Sequence, residues 1–313
     1  MANRYWRAGA GTWSGVNTTS WSATSGGIGG ASVPTLNDDV FFTNLASATS
    51  YTCTLSGTLA CKSLSISGPA AGAVTIAGTS ALAISGGLSI ASTGVVITYT
   101  GAISFKAVGG SWPISAGVTL SSAITFNGAG GAWYLASAFY INNTVTVTAG
   151  AFDTAGFTLN IPSFVTAGTL VRSIALGASL VILTGSGSII NFSGSNFTLS
   201  SGTSTIVTPS LTGITFNGGG FTYNDLVLGG ASGTNTTFSG SNTFNTISRN
   251  NTSQQTITFT SGTTTTVANW TVTGTPGNLV SIRSTLGTRH NLIKTGGGNI
   301  SVDYLNIWDS NAT

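Results

Sequence analysis

The sequence predicts an all-β chain: a parallel β-helix, or β-solenoid, closed at its N-terminus by an aromatic cap. Three observations predict it. Apolar residues alternate with Ser, Thr and Ala in short runs such as "AVTIAG", "ALAISG", "VVITYTG", "VTVTAG" and "ITFTSG", each the length of a strand of about four to six residues. Nearly every run ends at Gly, of which the chain has 44. Segments also recur loosely: "AITFNGAGGAWYL" at 123–135 is echoed by "GITFNGGGFTYNDL" at 213–226. Three strands to a coil at the observed spacing makes a coil of roughly 21 to 27 residues, with the echo about four coils on.

Residues 1–45 open the chain as the cap and attachment region. They hold Trp6, Trp13 and Trp21, the cations Arg4 and Arg7, Tyr5, and the one adjacent acid pair, Asp38–Asp39. A solenoid exposes core and unpaired strand edges at its ends, so an aromatic plug over the first coil is expected here, with Arg4 and Arg7 as docking contacts. Residues 46–313 follow as the coiled shaft. No segment carries apolar residues at helical spacing with caps. Tandem antiparallel β-sandwiches are the competing architecture. They would call for Asn-Gly or Asp-Gly hairpins, yet Asn-Gly stands only in the two "FNG" units and Asp-Gly nowhere.

Composition narrows function further. Charged residues are 5% of the chain and Glu is absent, against about 25% charged in ordinary domains. Stacked coils pile like residues into ladders, where like charges repel while Ser, Thr and Asn can hydrogen-bond. The nine Lys and Arg are scattered and the net charge is +3, which argues against nucleic-acid binding. No run approaches 18 continuous apolar residues, so no membrane insertion is expected. No apolar segment follows Arg4 and Arg7 as a signal peptide requires, and Cys53 and Cys61 are accordingly expected as free core residues, with a disulfide as the alternative.

Candidate chemistry is sparse. Glycosidase work needs two carboxyls across one cleft. Asp38 and Asp39 are adjacent, Asp153 and Asp225 are isolated, and Asp303 and Asp309 are six positions apart; all read as turn and strand-end residues. The single His290 in "GTRHNLIK" lacks a nucleophile motif. One His and two Cys do not make a zinc site. No cofactor, metal or catalytic residue is expected. Trp112, Trp133, Tyr134 and Tyr140 cluster between 112 and 140; core or corner packing is their ordinary use, and an exposed face that stacks sugars is the alternative.

The two ends resemble a family of tailed-bacteriophage virion proteins. The N-terminal elements are Tyr5-Trp6, Gly11-Thr12-Trp13, Trp21-Ser22, Gly30-Ala31-Ser32-Val33-Pro34 and Asp38-Asp39-Val40-Phe41; the C-terminal one is "VDYLNIWDSNAT". The likeness is specific over about 50 residues and compositional between them. It implies a structural, tail-fibre-like protein with no catalytic residues to carry over. The expected assembly is a homotrimer with other virion proteins as partners and a host surface glycan as a contact, built in the host cytoplasm and located in the virion. Members usually continue with a Gly- and Trp-containing tail, so at Thr313 either the C-terminus is missing or the protein is shorter. Alternatives from other classes are a capsid-decorating (cement) protein, a polysaccharide depolymerase tailspike and a bacterial adhesin passenger.

Overall fold

The computed structural model describes residues 2–43, 49–69, 71–209, 213–230, 233–249 and 251–312. Among these every regular element is a strand and there is no helix. The strands stack in parallel from one coil to the next, so the chain is a parallel β-solenoid. Asn3–Trp6 adds an antiparallel pairing with Trp21–Ser22. Contacts divide the chain into two units, residues 1–153 with 170–173, and residues 154–169 with 174–313. The boundary expected at 45/46 falls among residues 44–48, outside the described residues.

In the first unit each coil carries three strands. Tyr51–Ser56, Leu59–Cys61 and Leu64–Ile66 make one coil. They stack on Val74–Gly78, Leu82–Ile84 and Leu88–Ile90 of the next. Leu64 pairs with Leu88 and Leu88 with Ile114, while Ile103 pairs with Ile124 and Ile124 with Val145; by subtraction of residue numbers the coils are 24, 26, 21 and 21 residues. Period-two alternation sets the core, because successive strand side chains point to opposite faces. Tyr51–Ser56 alternates buried and exposed without a break.

Residues 2–43 are woven into these coils. Gly11–Ser14 pairs in parallel with Tyr51–Ser56, and Asn3–Trp6 with Asp39–Phe42, which pairs in turn with Leu64–Ile66.

The second unit keeps three strands in its coil Leu180–Leu183, Gly187–Phe192 and Phe197–Ser200. From Thr205 onward it departs from the expected three, and its coils carry two longer strands. One face runs through Thr205–Thr208, Thr222–Leu228, Thr243–Arg249 and Thr264–Thr271. The other runs through Ile214–Asn217, Thr234–Ser239, Gln255–Phe259 and Val280–Ser284. Identical residues meet along the stack: Phe216, Phe238 and Phe259 form an inward ladder with ring centroids 5.7 and 5.1 Å apart, and Asn217 donates its amide to Asn191 at 2.8 Å.

The echoed segments are the same device used once in each unit. Ile124–Leu135 is one strand that serves two faces of a coil, with register shifts around Asn127. Glycines occupy the bend, and Trp133 beyond it turns back into the core, its indole N–H donating to the Gly86 carbonyl at 3.1 Å. In the second unit Tyr223 follows Gly218–Gly220 and donates its hydroxyl to the Gly218 carbonyl at 2.7 Å. Both aromatic side chains are buried.

Candidate functional site

The three N-terminal tryptophans form one buried cluster. Trp21 stands edge-on to Trp6 and to Trp13, at 5.2 Å in each case. Phe42 packs against all three. Trp6 donates its indole N–H to the Gly9 carbonyl at 2.9 Å; the Trp21 indole N–H has no acceptor among the described residues. Such rings offer packing rather than a ligand surface, since none is exposed.

Polar residues of the same motif bind one another. Arg4 donates to the Ser32 carbonyl at 2.9 Å and to its hydroxyl at 2.7 Å, and lies 3.7 Å from Asp38. Asp38 accepts from the Thr35 N–H and hydroxyl and from the Ala2 N–H, at 3.0, 2.7 and 3.2 Å. Burial by itself raises the Asp38 carboxyl pKa, but the Thr35 hydrogen bonds, the Arg4 charge and the Ala2 N–H outweigh it and hold the pKa below 3.8. The Arg4 guanidinium is thus committed inside the chain. Of the two cations expected to dock, Arg7 is the exposed one.

Asp39 and Phe41 face outward beside Asp38. Tyr5 stacks on Phe41 at 4.9 Å. The outward row then runs Phe41, Ser65, Ser89 and Ser115. Two coils of small side chains between larger ones leave a groove of about 270 Å3, bounded by Phe41 at one end and by Trp112 and Pro113 at the other. Lys62 lies 5.2 Å over the Trp112 ring and 3.7 Å from Asp39, which suits a cation–π contact.

The expected aromatic face needs a correction. Trp133 is 1% exposed and belongs to the core, because the glycine bend returns it to an inward position. Tyr134, its neighbour, points outward by strand alternation, and Tyr140 is also exposed. Trp112 is half-buried beneath Lys62, with its indole N–H donated to the Gly109 carbonyl at 3.0 Å.

Asp153 and Asp225 fall in different units, and Asp225 accepts from the Asn245 amide at 3.0 Å. Cys53 and Cys61 are free and buried; burial pushes the Cys53 thiol up to about 12 and raises Cys61 as well. Among the described residues no three His, Cys, Asp or Glu side chains gather as a metal site would need, and no helix is long and apolar enough to cross a membrane.

His290 opens the strand His290–Lys294 and is buried in the core. It stacks on Phe259 at 4.6 Å, extending the phenylalanine ladder, and its Nε2 lies 2.9 Å from the Ser310 hydroxyl. Burial lowers its pKa below 6.5; a hydrogen bond to the Asp309 carbonyl and the Asp309 charge act the other way without restoring it. The unfolded chain therefore takes up the proton first as the pH falls. Stability from this site is complete above 6.5 and is lost as the pH drops from 6.5 through the lower folded value. Thermal unfolding of the second unit is expected to shift downward between about pH 7 and pH 5, and His290→Gln should flatten that slope. An unchanged slope in the variant would refute the assignment. Asp38 adds nothing in this window, since its contribution disappears only as the pH falls through its depressed value, below 3.8.

A second groove lies in the second unit, about 560 Å3, lined by Asn235, Thr237, Thr258, Arg283, Trp308 and Asp309 among others. Arg283 and Trp308 were not singled out from the sequence. The sequence offered only a tryptophan in the "NIWDSNA" segment, and nothing placed Arg283 beside it.

Comparison of the chain with protein-family models, with curated proteins and with solved structures finds no match.

Proposed function

We propose that the protein is a structural component of a tailed-bacteriophage virion: a β-helical tail fibre, spike or surface appendage whose work is mechanical and which contacts the host surface. The observation that carries the mechanical half is the stack of parallel strands over an apolar core that continues from coil to coil within each unit. Each strand is hydrogen-bonded to the coil before and after it, so unravelling one coil must break a whole ladder at once. Almost no charge interrupts the stack.

The virion half is supported by the resemblance at the two ends. Its N-terminal elements converge: Trp6, Trp13, Trp21 and Phe42 pack together, Tyr5 stacks on Phe41, and Arg4 and Asp38 tie the segment to the first strands. A motif that forms one bonded structure has a physical reason to recur as a unit.

Labelling the chain in assembled particles and imaging them tests the reading. Density on the tail or on a projecting appendage is the expected result. Density on the capsid face would replace it with a decoration protein, and absence from the particle would overturn it. Clearance of host polysaccharide by the purified chain, lost in Asp153→Asn or Asp225→Asn, would make it a depolymerase.

A further inference from the structure

We propose that the Arg283–Trp308 groove of the second unit binds a carboxylate-bearing pyranose, a uronate residue of an acidic polysaccharide. The groove is built on an outward row. Thr215, Thr237 and Thr258 stand one above another on successive coils, and Arg283 takes the next position. The Trp308 N–H bonds to the Ile282 carbonyl at 2.8 Å, which sets Trp308 beside the coil of Arg283.

Two side chains of this groove stand open to a ligand. Arg283 is exposed, and it makes neither an ion pair nor a side-chain hydrogen bond among the described residues. Trp308 is 54% exposed and contacts no other ring among them. An indole that could be buried instead presents its apolar area to water.

The ligand class follows from what these groups can bind together. A pyranose has an apolar face of C–H groups and a rim of hydroxyls. The exposed Trp308 ring suits the face. The rim needs donors and acceptors, and both are present. Thr258 donates its hydroxyl to the Asn235 carbonyl oxygen at 3.1 Å; this leaves the Asn235 amide N–H groups to donate and the Thr258 oxygen to accept. The Asp309 carboxylate accepts from hydroxyls. A forked guanidinium that makes no ion pair among the described residues is matched by a planar carboxylate, which it can bind through two parallel hydrogen bonds. A neutral sugar leaves that fork unused. A nucleic-acid strand would need a track of cations, and Arg283 is the one cation lining this groove among the described residues.

The proposal stands on the second unit alone and does not depend on a virion location. Isothermal titration of the full chain with short oligomers of glucuronate, galacturonate and mannuronate, each paired with its methyl ester, tests it. Esterification keeps the ring and removes the charge. At least one uronate oligomer is expected to bind, and its ester about tenfold or more weaker, the scale of a charge-assisted hydrogen-bond pair. Arg283→Gln should bring acid and ester to equal affinity, and Trp308→Ala should remove both. Since both side chains are exposed, circular dichroism melts should match the parent. Binding of no oligomer, equal binding of acid and ester by the parent, or parental binding by either variant would overturn the proposal. None of these outcomes bears on where the chain sits in a particle.

Discussion

Trp21→Ala should destabilise the first unit by about 3–5 kcal/mol, the cost of truncating a buried aromatic whose cavity cannot collapse. Trp21 is fully buried and lies opposite Trp6 in the antiparallel pair of Asn3–Trp6 with Trp21–Ser22. Its ring fills the space between Trp6, Trp13 and Phe42. Those rings are fixed by strands on three sides: Trp13 pairs with Leu55, and the Trp6 strand pairs with that of Phe42. None can move into the gap without breaking a ladder. Each edge-to-face contact also carries about 0.5–1.5 kcal/mol beyond area burial. The melting temperature should fall by roughly 10 °C on the scaling for a domain of this size, with loss of the near-ultraviolet signal from the cluster. Val16→Ala, at an exposed position in the same segment, should stay within about 0.5 kcal/mol of the parent. If Trp21→Ala cost no more than Val16→Ala, the cluster would not be a structural plug.

Strand positions were legible because alternation is a local property. "SYTCTL" and "KSLSIS" show it directly, and the structure gives Tyr51–Ser56 and Leu64–Ile66 there. The stacking partners were less legible. Coil length varies between neighbouring coils, and pairing Thr258 with Arg283 requires knowing the length of each intervening corner. The second groove was invisible for that reason: its members lie from residue 235 to residue 309 and meet only through accumulated register.

Which of the two readings applied to Trp133, core packing or exposed face, was not legible for a different reason. Simple alternation continued from Phe126 cannot foresee register shifts at Asn127. The glycines of "NGAGGAW" were the available signal, since Gly inside a strand marks a bulge or a close backbone approach. Polarity alone gives no reason to expect His290 in the core. Its ring is planar, however, and the phenylalanine ladder beneath it provides a flat face at Phe259.

That bend yields the second large effect. Gly128→Ala should destabilise the first unit by about 3 kcal/mol, at the upper end for overpacking a core. A Cβ at Gly128 would be driven into the Ala107 backbone carbonyl and N–H, with the Trp133 indole closing the remaining side. Backbone belonging to the neighbouring coil cannot rotate away as a side chain can. Nor can Trp133 retreat, because its indole N–H is held by the Gly86 carbonyl. Gly131 meets the same Ala107 carbonyl, and Gly150 lies against the carbonyls of both Gly128 and Gly131 with a φ of 84°. Three glycines therefore let successive coils close to backbone contact around one tryptophan, and a single methyl group must part them. Gly109→Ala is the matched control, since a Cβ there meets nothing within 4 Å. Denaturant unfolding followed by tryptophan fluorescence distinguishes the two. The midpoint of Gly128→Ala should fall well below that of Gly109→Ala, and its emission should shift to the red as Trp133 gains solvent. Coincident curves would mean that the bend tolerates a side chain, and that the glycines of this segment and of its echo at Gly218–Gly220 reflect composition rather than close packing.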